Sequence, residues 1–315
     1  MYINAIGYYI PETRITNDYF TEVNGLTSDW ITQRTGIQTR SRSSEKETMD
    51  HMCSEAVKNA VAKLPYEIKD VDLIVFASYT PSDTIATSGH YIQREYNIPN
   101  AKVFMVSSAC SSALNAIEII YSFFSSQIAE KALLICADRN STYSDDTDCM
   151  SGHLWGDAAT AYFFSNKSYS EKDPQVLDIT TMGLGHIGQG PKGVYLDPKN
   201  GGLKMPYGKD VFTHACIYIA QNAMDMVELN GYTLDDLSYF IGHQANMRIL
   251  KNVASRLNMD EDKILSNIEE LGNTGSASAV LVFAQNYQKF TSGDLICLSV
   301  FGGGYSTGAC LIKIP

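Results

Sequence analysis

Cys110 is the first residue of this chain whose type and setting could do chemistry. It lies in Met105-Val-Ser-Ser-Ala-Cys-Ser-Ser-Ala-Leu-Asn-Ala-Ile-Glu-Ile-Ile120, a stretch that opens with small residues and closes as an apolar helix. Ala113, Leu114, Ala116, Ile117 and Ile120 recur at helical spacing and mark a buried face. Ser107 and Ser108 are candidate caps for the helix start. A thiol at such a start feels the positive end of the helix dipole, which favours thiolate and therefore nucleophilic attack. A lone cysteine is more often a buried packing residue, so the case for chemistry rests on what joins it. His243 follows the apolar segment 239–242, at the kind of strand end where open parallel sheets put functional groups. Asn273 precedes a second small-residue stretch that again runs into an apolar helix.

The elements that must position these residues follow from patterning. Strands are expected over 1–10, 102–106 and 158–164, and the apolar runs 73–78 and 131–137 read as strands buried on both faces. Helices are expected over 17–24, 46–64 and 88–96, with Pro65 and Pro99 as breakers. Ser28 and Gly36 bracket another, as N-cap and helix stop. The polar segment 165–174 ends in Pro174 and is the natural boundary between a first half, 1–170, and a second, 171–315. Residues 183–210 are rich in Gly, Pro and Lys, which reads as a long surface excursion able to act as a lid.

The second half repeats the first. Asp70-Val-Asp-Leu-Ile-Val-Phe76 falls on Asp236-Leu-Ser-Tyr-Phe-Ile-Gly242 at a shift of 166 positions. At the same shift 105–120 falls on 271–286, and the helix at 46–64 on one at 211–229. Three elements in order at one shift imply two copies of a strand–helix unit, each with a mostly parallel buried sheet. Packed together, such copies bring corresponding element ends to one pseudo-two-fold axis. Cys110, His243 and Asn273 would then meet there.

Composition bounds the function class. At 315 residues with 44% apolar and 19% charged residues, the chain suits an α/β enzyme with a substantial core. A net charge of −11 argues against a nucleic-acid partner. No run of the length a membrane span needs and no signal-peptide pattern are present, so a cytoplasmic location without membrane attachment is expected. The seven cysteines are scattered without C-x-x-C spacing, which fits free thiols and argues against structural zinc. His51 and Cys53 read as a helix face, His90, His153, His186 and His214 lack diagnostic partners, and Asp145, Asp146 and Asp148 read as a solvated loop. No metal site is expected.

With Cys110, His243 and Asn273 in hand, the chain resembles the β-ketoacyl-acyl-carrier-protein synthase III family of the thiolase superfamily. Asp29-Trp-Ile-Thr-Gln-Arg-Thr-Gly-Ile37 is similar to the family's D-E-W-I-x-x-R-T-G-I, and Gly242-His-Gln-Ala-Asn-Met-Arg-Ile249 to its P-H-Q-A-N-x-R-I. Leu271-Gly-Asn-Thr-Gly-Ser-Ala-Ser278 resembles G-N-T-S-A-A-S, Phe301-Gly-Gly-Gly-Tyr305 resembles F-G-G-G-F, and Trp155-Gly-Asp157 stands where the family has F-G-D. The resemblance spans nearly the whole chain. It implies a thiolase-like five-layered α-β-α-β-α fold of two duplicated halves, and a homodimer. It implies no bound cofactor, with substrates carried as acyl-CoA or phosphopantetheine thioesters. On this footing Cys110 is acylated, its N–H and that of Gly303 hold the oxyanion, and His243 and Asn273 donate to the enolate formed when a malonyl thioester loses carbon dioxide. Phe301 would turn an apolar ring to the departing carboxylate. Trp30 would wall the entrance, and Arg248, Lys251 and Arg256 would receive an acidic acyl carrier protein.

Three departures separate the chain from the family pattern. The surroundings of the nucleophile are Ser107-Ser-Ala-Cys-Ser-Ser112 instead of A-A-A-C-A-G. Cys149 aligns with an adenine-covering arginine, and Ile85 with a bulky phenylalanine that enters the partner's acyl pocket in acetyl-specific members. These changes point to a condensing enzyme that takes an acyl chain longer than acetyl, in fatty acid or specialised polyketide-type biosynthesis. The alternatives are an acyltransferase of the same fold without decarboxylation and a non-catalytic subunit of a heterodimer.

Overall fold

The computed structural model describes residues 1–200 and 202–315. Nine strands form one sheet in the order Tyr239–Gly242, Leu295–Gly302, Ser306–Lys313, Gln175–Gly183, Tyr2–Tyr9, Asp157–Ser165, Lys131–Arg139, Leu73–Ala77, Lys102–Val106. The sheet is nearly divided in the middle. Tyr2–Tyr9 and Gln175–Gly183 share the single register pair Tyr2 with Gln175, beside a bond from the Ile3 N–H to the Pro174 carbonyl. On one side of this seam Leu73–Ala77 pairs in parallel with both of its neighbours. On the other side Tyr239–Gly242 pairs in parallel with Leu295–Gly302. The remaining pairings are antiparallel.

Residues of alternating orientation explain why the parallel strands read as unbroken apolar runs. Leu73, Val75 and Ala77 face the central layer, while Ile74 and Phe76 face outward. The helices Met49–Val61 and Ser88–Glu95 cover that outer face. Ser112–Ser125 and Ser278–Asn286 fill the centre, against Val75 on one side and Leu298 on the other. Gly208–Leu229 and Met247–Leu257 cover the far face, against Phe240, Cys297 and Leu311. The layers run α-β-α-β-α, as the resemblance led one to expect.

The edge strand Lys102–Val106 has a reduced equivalent at the opposite edge. There Phe240 makes one parallel bridge to Ile264, and the Leu265 N–H donates to the Phe240 carbonyl at 3.0 Å. The glycine- and proline-rich excursion folds back as a two-stranded ribbon of Tyr195–Asp197 with Gly202–Lys204. Among the described residues no helix is long and apolar enough to cross a membrane.

Candidate active site

The strand Lys102–Val106 delivers the chain to Cys110, and the helix begins only at Ser112. Ser107 and Ser108 therefore do not cap it; Ser111 occupies the cap position without a side-chain cap bond. The reason is the backbone of Ala109, which takes φ +49 and turns the chain sharply before the helix. Ser111 and Ser112 spend their hydroxyls on this turn. Ser112 Oγ accepts from the Ser108 N–H at 2.8 Å and donates to the Ala109 carbonyl. Ser111 Oγ bonds the Ser108 carbonyl, Asn115 and Ser306. Ser111 in place of alanine and Ser112 in place of glycine thus support the turn.

Cys110 is buried and opens onto a cavity of about 320 Å³ lined by Tyr79, Trp155, Val194, Leu196 and Leu203 among others. Val194, Leu196 and Leu203 come from the 183–210 excursion, which forms one wall. Burial pushes the thiol up to about 12, the Asp138 carboxylate adds to the rise, and Tyr79 acts against it. Desolvation outweighs the helix dipole here, so the resting group is the thiol and not the thiolate expected from the sequence.

Gly302 ends its strand against this turn. A Cβ there would stand 2.8 Å from the Cys110 nitrogen and 3.0 Å from that of Ser111. Only a missing side chain permits so close an approach. Gly303 follows beside Ala109 and Val194. Among the described residues neither the Cys110 nor the Gly303 N–H has a hydrogen-bond acceptor elsewhere in the fold. Both donors are therefore unengaged, one on the nucleophile itself and one on the glycine that follows the Gly302 contact.

His243 leaves the strand Tyr239–Gly242, anchored by its N–H to the Ser299 carbonyl at 3.0 Å. Its Nδ1 lies 2.7 Å from Ser278 Oγ, and its Nε2 has no partner among the described residues. Burial holds the imidazole down at about 4, so it is neutral at pH 7. Asn273 is anchored by its backbone to Leu154 and Gly156. Its Oδ1 accepts the Gly275 N–H at 3.0 Å, which fixes the amide and leaves Nδ2 unpaired among the described residues.

Behind the thiol lies a carboxylate that the sequence reading missed. Asp138, at the end of Lys131–Arg139, is fully buried. Oδ1 accepts from Ser78 Oγ, the Tyr79 N–H, and the Thr80 N–H and hydroxyl; Oδ2 accepts from the Ser276 N–H and hydroxyl, both at 2.7 Å. Burial raises its pKa, and the donors work against that rise. The network ties strand ends of the first half to the Asn273–Ser278 segment of the second.

Other candidates fall farther out. Phe301 does not line the cavity; its ring packs with Tyr218 and Tyr305 under the helix Gly208–Leu229. Strand alternation puts it there, since its neighbour Val300 takes the inward side. Trp30 is 38% exposed and meets His153 edge to face at 5.7 Å. Arg34, one turn on, lies over its ring at 5.4 Å. Arg139 is tied to Ser43 and Ser44. Cys149 is exposed, and Ile85 is 87% exposed on a turn held by Asp83. Arg248 lies over the Phe212 ring at 5.4 Å and Arg256 donates to Asn252 at 2.8 Å, whereas Lys251 pairs with Glu261 at 3.7 Å. Asn246 Nδ2 donates to the Arg34 carbonyl at 3.0 Å, which sets the Trp30 helix against the one bearing Arg248. Among the described residues no cluster of three or more His, Cys, Asp or Glu could hold a metal.

Known proteins share this arrangement of chain. The family described as 3-oxoacyl-[acyl-carrier-protein (ACP)] synthase III matches residues 104–184, and its C-terminal counterpart matches 227–314. The β-ketoacyl-[acyl-carrier-protein] synthase III of Anaplasma marginale (strain St. Maries) is 31% identical over 98% of each chain. That of Acholeplasma laidlawii (strain PG-8A) is 32% identical over 99% of this chain and 98% of its own. The crystal structure of 3-oxoacyl-[acyl-carrier-protein] synthase III from Aquifex aeolicus VF5 superposes with a TM-score of 0.92 at 29% identity, covering 99% of both chains. The priming β-ketosynthase of the R1128 polyketide pathway superposes at 0.90 with 26% identity, over 99% of this chain and 96% of its own. From the full-length likeness, on top of the shared motifs and layered architecture, the chain belongs to the β-ketoacyl-acyl-carrier-protein synthase III family.

Proposed function

We propose that the chain is a condensing enzyme. It takes an acyl group from a thioester onto Cys110 and joins it to a malonyl thioester with loss of carbon dioxide. The observation that carries this reading is the set of unengaged donors: the Cys110 and Gly303 backbone N–H groups, and the free Nε2 and Nδ2 of His243 and Asn273 among the described residues.

In acylation the Cys110 sulfur attacks the thioester carbonyl carbon. The carbonyl oxygen gains charge between the Cys110 and Gly303 N–H groups. The intermediate collapses, the carbon–sulfur bond to the donor breaks, and the thiol proton ends on the departing thiol. A thiol held near 12 must lose its proton as it attacks, so the oxyanion donors bear most of the work.

In condensation the carbon–carboxylate bond of the malonyl group breaks and its electron pair forms an enolate. The Ser278 hydroxyl, 2.7 Å from His243 Nδ1, can donate to it, and in that tautomer the ring proton is on Nε2. Nε2–H and the Asn273 amide N–H then stabilise the enolate oxygen. The α-carbon attacks the acyl-Cys110 carbonyl, the same oxyanion donors act again, and Cys110 is released with the β-ketoacyl thioester. A plain acyltransferase has no use for the second donor pair.

A cavity of about 320 Å³ holds more than an acetyl group, which supports a longer acyl chain. The exposed Ile85 is available to the pocket of a second copy in a homodimer. Arg248 and Arg256, next to the Trp30 helix, form the landing for an acidic carrier protein, with Lys251 at its margin. Intact-mass measurement with acyl-CoA and acyl-carrier thioesters, coupled to carbon dioxide release from malonyl-carrier, tests the scheme. Acylation without any carbon dioxide release would return the chain to plain acyl transfer.

A further inference from the structure

The thiol of Cys110 has a partner that no motif supplied. Tyr79 follows the strand Leu73–Ala77, lines the cavity with Cys110, and carries its hydroxyl within hydrogen-bond reach of the thiol. The space for that hydroxyl is made by the second half of the chain. Gly275 takes φ +65, and a Cβ there would stand 2.6 Å from Tyr79 Oη. The related motif G-N-T-S-A-A-S has serine at this point, so a side chain is missing where the phenol sits.

The polarity of the phenol is set from behind. Asn140 Nδ2 donates to the Gly156 carbonyl at 2.8 Å and to the Asn273 carbonyl at 3.2 Å. Both partners can only accept, so the amide cannot flip, and Oδ1 faces the Tyr79 hydroxyl at 2.7 Å. Two acceptors therefore compete for one phenolic proton, Asn140 Oδ1 and the sulfur. While the sulfur keeps its own proton, the thiol donates to Oη and Oη–H donates to Asn140. A thiolate is the stronger acceptor, since hydrogen bonds to a charged partner are about twice as strong as neutral ones. The phenolic proton then turns to the sulfur. Burial first, and then the charges of a Cys110 thiolate and of Asp138, hold the phenol well above its ordinary pKa. It therefore keeps its proton and serves as a neutral donor, not as a base.

We infer that Tyr79 is a catalytic residue of acylation, its hydroxyl accepting from the resting thiol and donating to the thiolate that attacks. Asn140 and Gly275 position it. The thiol proton still ends on the departing thiol, and Tyr79 leaves the step unchanged, so no further reactant is needed. The other ionisable group acting on the thiol is Asp138, which opposes the thiolate. This inference rests on Cys110 as the nucleophile of the condensing reading and adds a group to its first half-reaction.

Alkylation of Cys110 by iodoacetamide at about pH 8, followed by peptide mass, reads the thiolate without any acyl substrate. Loss of a hydrogen bond to a charged group in Tyr79→Phe should lower the thiolate population about tenfold. The more basic thiolate attacks faster, with a slope of about 0.4–0.5 in disulfide exchange, so the net fall in alkylation is about threefold. Acylation by a hexanoyl thioester should slow by a similar factor. The S–H stretch of Cys110 gives a second readout, isolated in the infrared as the band lost on Cys110→Ser in each background. It should lie at lower frequency in the wild type than in Tyr79→Phe, because a donating thiol has a weakened S–H bond. Alkylation as fast as in the wild type, or an S–H band at the same frequency, would overturn the inference and leave the condensing reading intact. 3-Fluorotyrosine at position 79 keeps the ring and makes its oxygen a weaker acceptor, so the S–H frequency should rise. That chain decides the matter if the phenylalanine variant fails to fold, and an unmoved band in it would overturn the inference. No acyl adduct from any thioester on the wild type would instead sink the condensing reading, and the role of Tyr79 in acylation with it.

Discussion

Each residue at the reaction centre has a distinct signature. Cys110→Ser should abolish the acyl adduct, because an alcohol without a dedicated base is a poor nucleophile; intact mass after thioester incubation reads this directly. His243→Ala and Asn273→Ala should each slow decarboxylation by 10²–10³, roughly 2.7–4 kcal/mol, with a smaller effect on acylation. Ser278→Ala separates the tautomers of His243. If the hydroxyl donates to Nδ1, its loss frees the ring proton to move off Nε2, and carbon dioxide release should fall about tenfold while acylation persists. Unchanged release from the Ser278 variant would contradict the tautomer. Cys110, His243 and Asn273 were legible in the sequence because each sits in a local motif. Tyr79, Asp138 and Asn140 were not, since no short pattern links them and only the parallel pairing of Leu73–Ala77 with Lys131–Arg139 makes them neighbours.

The elements carry the site through a few rigid joints. Asp138 gathers six donors from two segments, so Asp138→Asn turns one acceptor oxygen into an NH₂ group facing N–H and O–H donors. A loss of about 3 kcal/mol of stability is expected from urea unfolding, with activity falling further as Asn273 loses its support. The turn at Ala109 shows what the pattern of apolar residues could not reveal. Helical periodicity placed the buried face of Ser112–Ser125 well but carried no information on a positive φ three residues before its first residue. Likewise the resemblance grouped Arg248, Lys251 and Arg256 as one landing, and only the packing shows Lys251 paired with Glu261 while Arg248 lies over Phe212. Arg248→Glu should therefore raise KM for carrier-borne substrates more than Lys251→Glu does, with the difference shrinking as salt screens the charges.

At the scale of the whole molecule, burial of ionisable groups couples stability to pH. His153 and His243 are 2% and 3% exposed, and burial lowers both from 6.5 to about 4; Arg40 adds to the effect at His153. The folded form excludes protons that the unfolded chain binds between those values. Their contribution is complete above pH 6.5 and is lost as pH falls toward 4, at about 1.4 kcal/mol per pH unit for each histidine. Urea midpoints measured from pH 7 to 4.5 should fall accordingly, and His153→Gln should make the decline shallower. The duplication was readable from the 166-residue repeat and the layered order from the resemblance, but the mostly parallel sheet expected of each half is not found, since antiparallel pairings outnumber parallel ones in the nine-stranded sheet. The thin seam between Tyr2–Tyr9 and Gln175–Gly183 was not readable, because an apolar strand reads the same whether one pair or eight hold it to its neighbour.

That seam sets an order of events during synthesis. The earliest strand in this sequence, Tyr2–Tyr9, occupies the middle of the finished sheet, and its partners are Asp157–Ser165 along its length and Gln175 at one end. More than 140 residues must be translated before either appears. Until then its apolar face has no sheet to join, so the nascent first half stays open to chaperones and to unwanted pairing, and folding should be paced by these distant contacts and not by its helices.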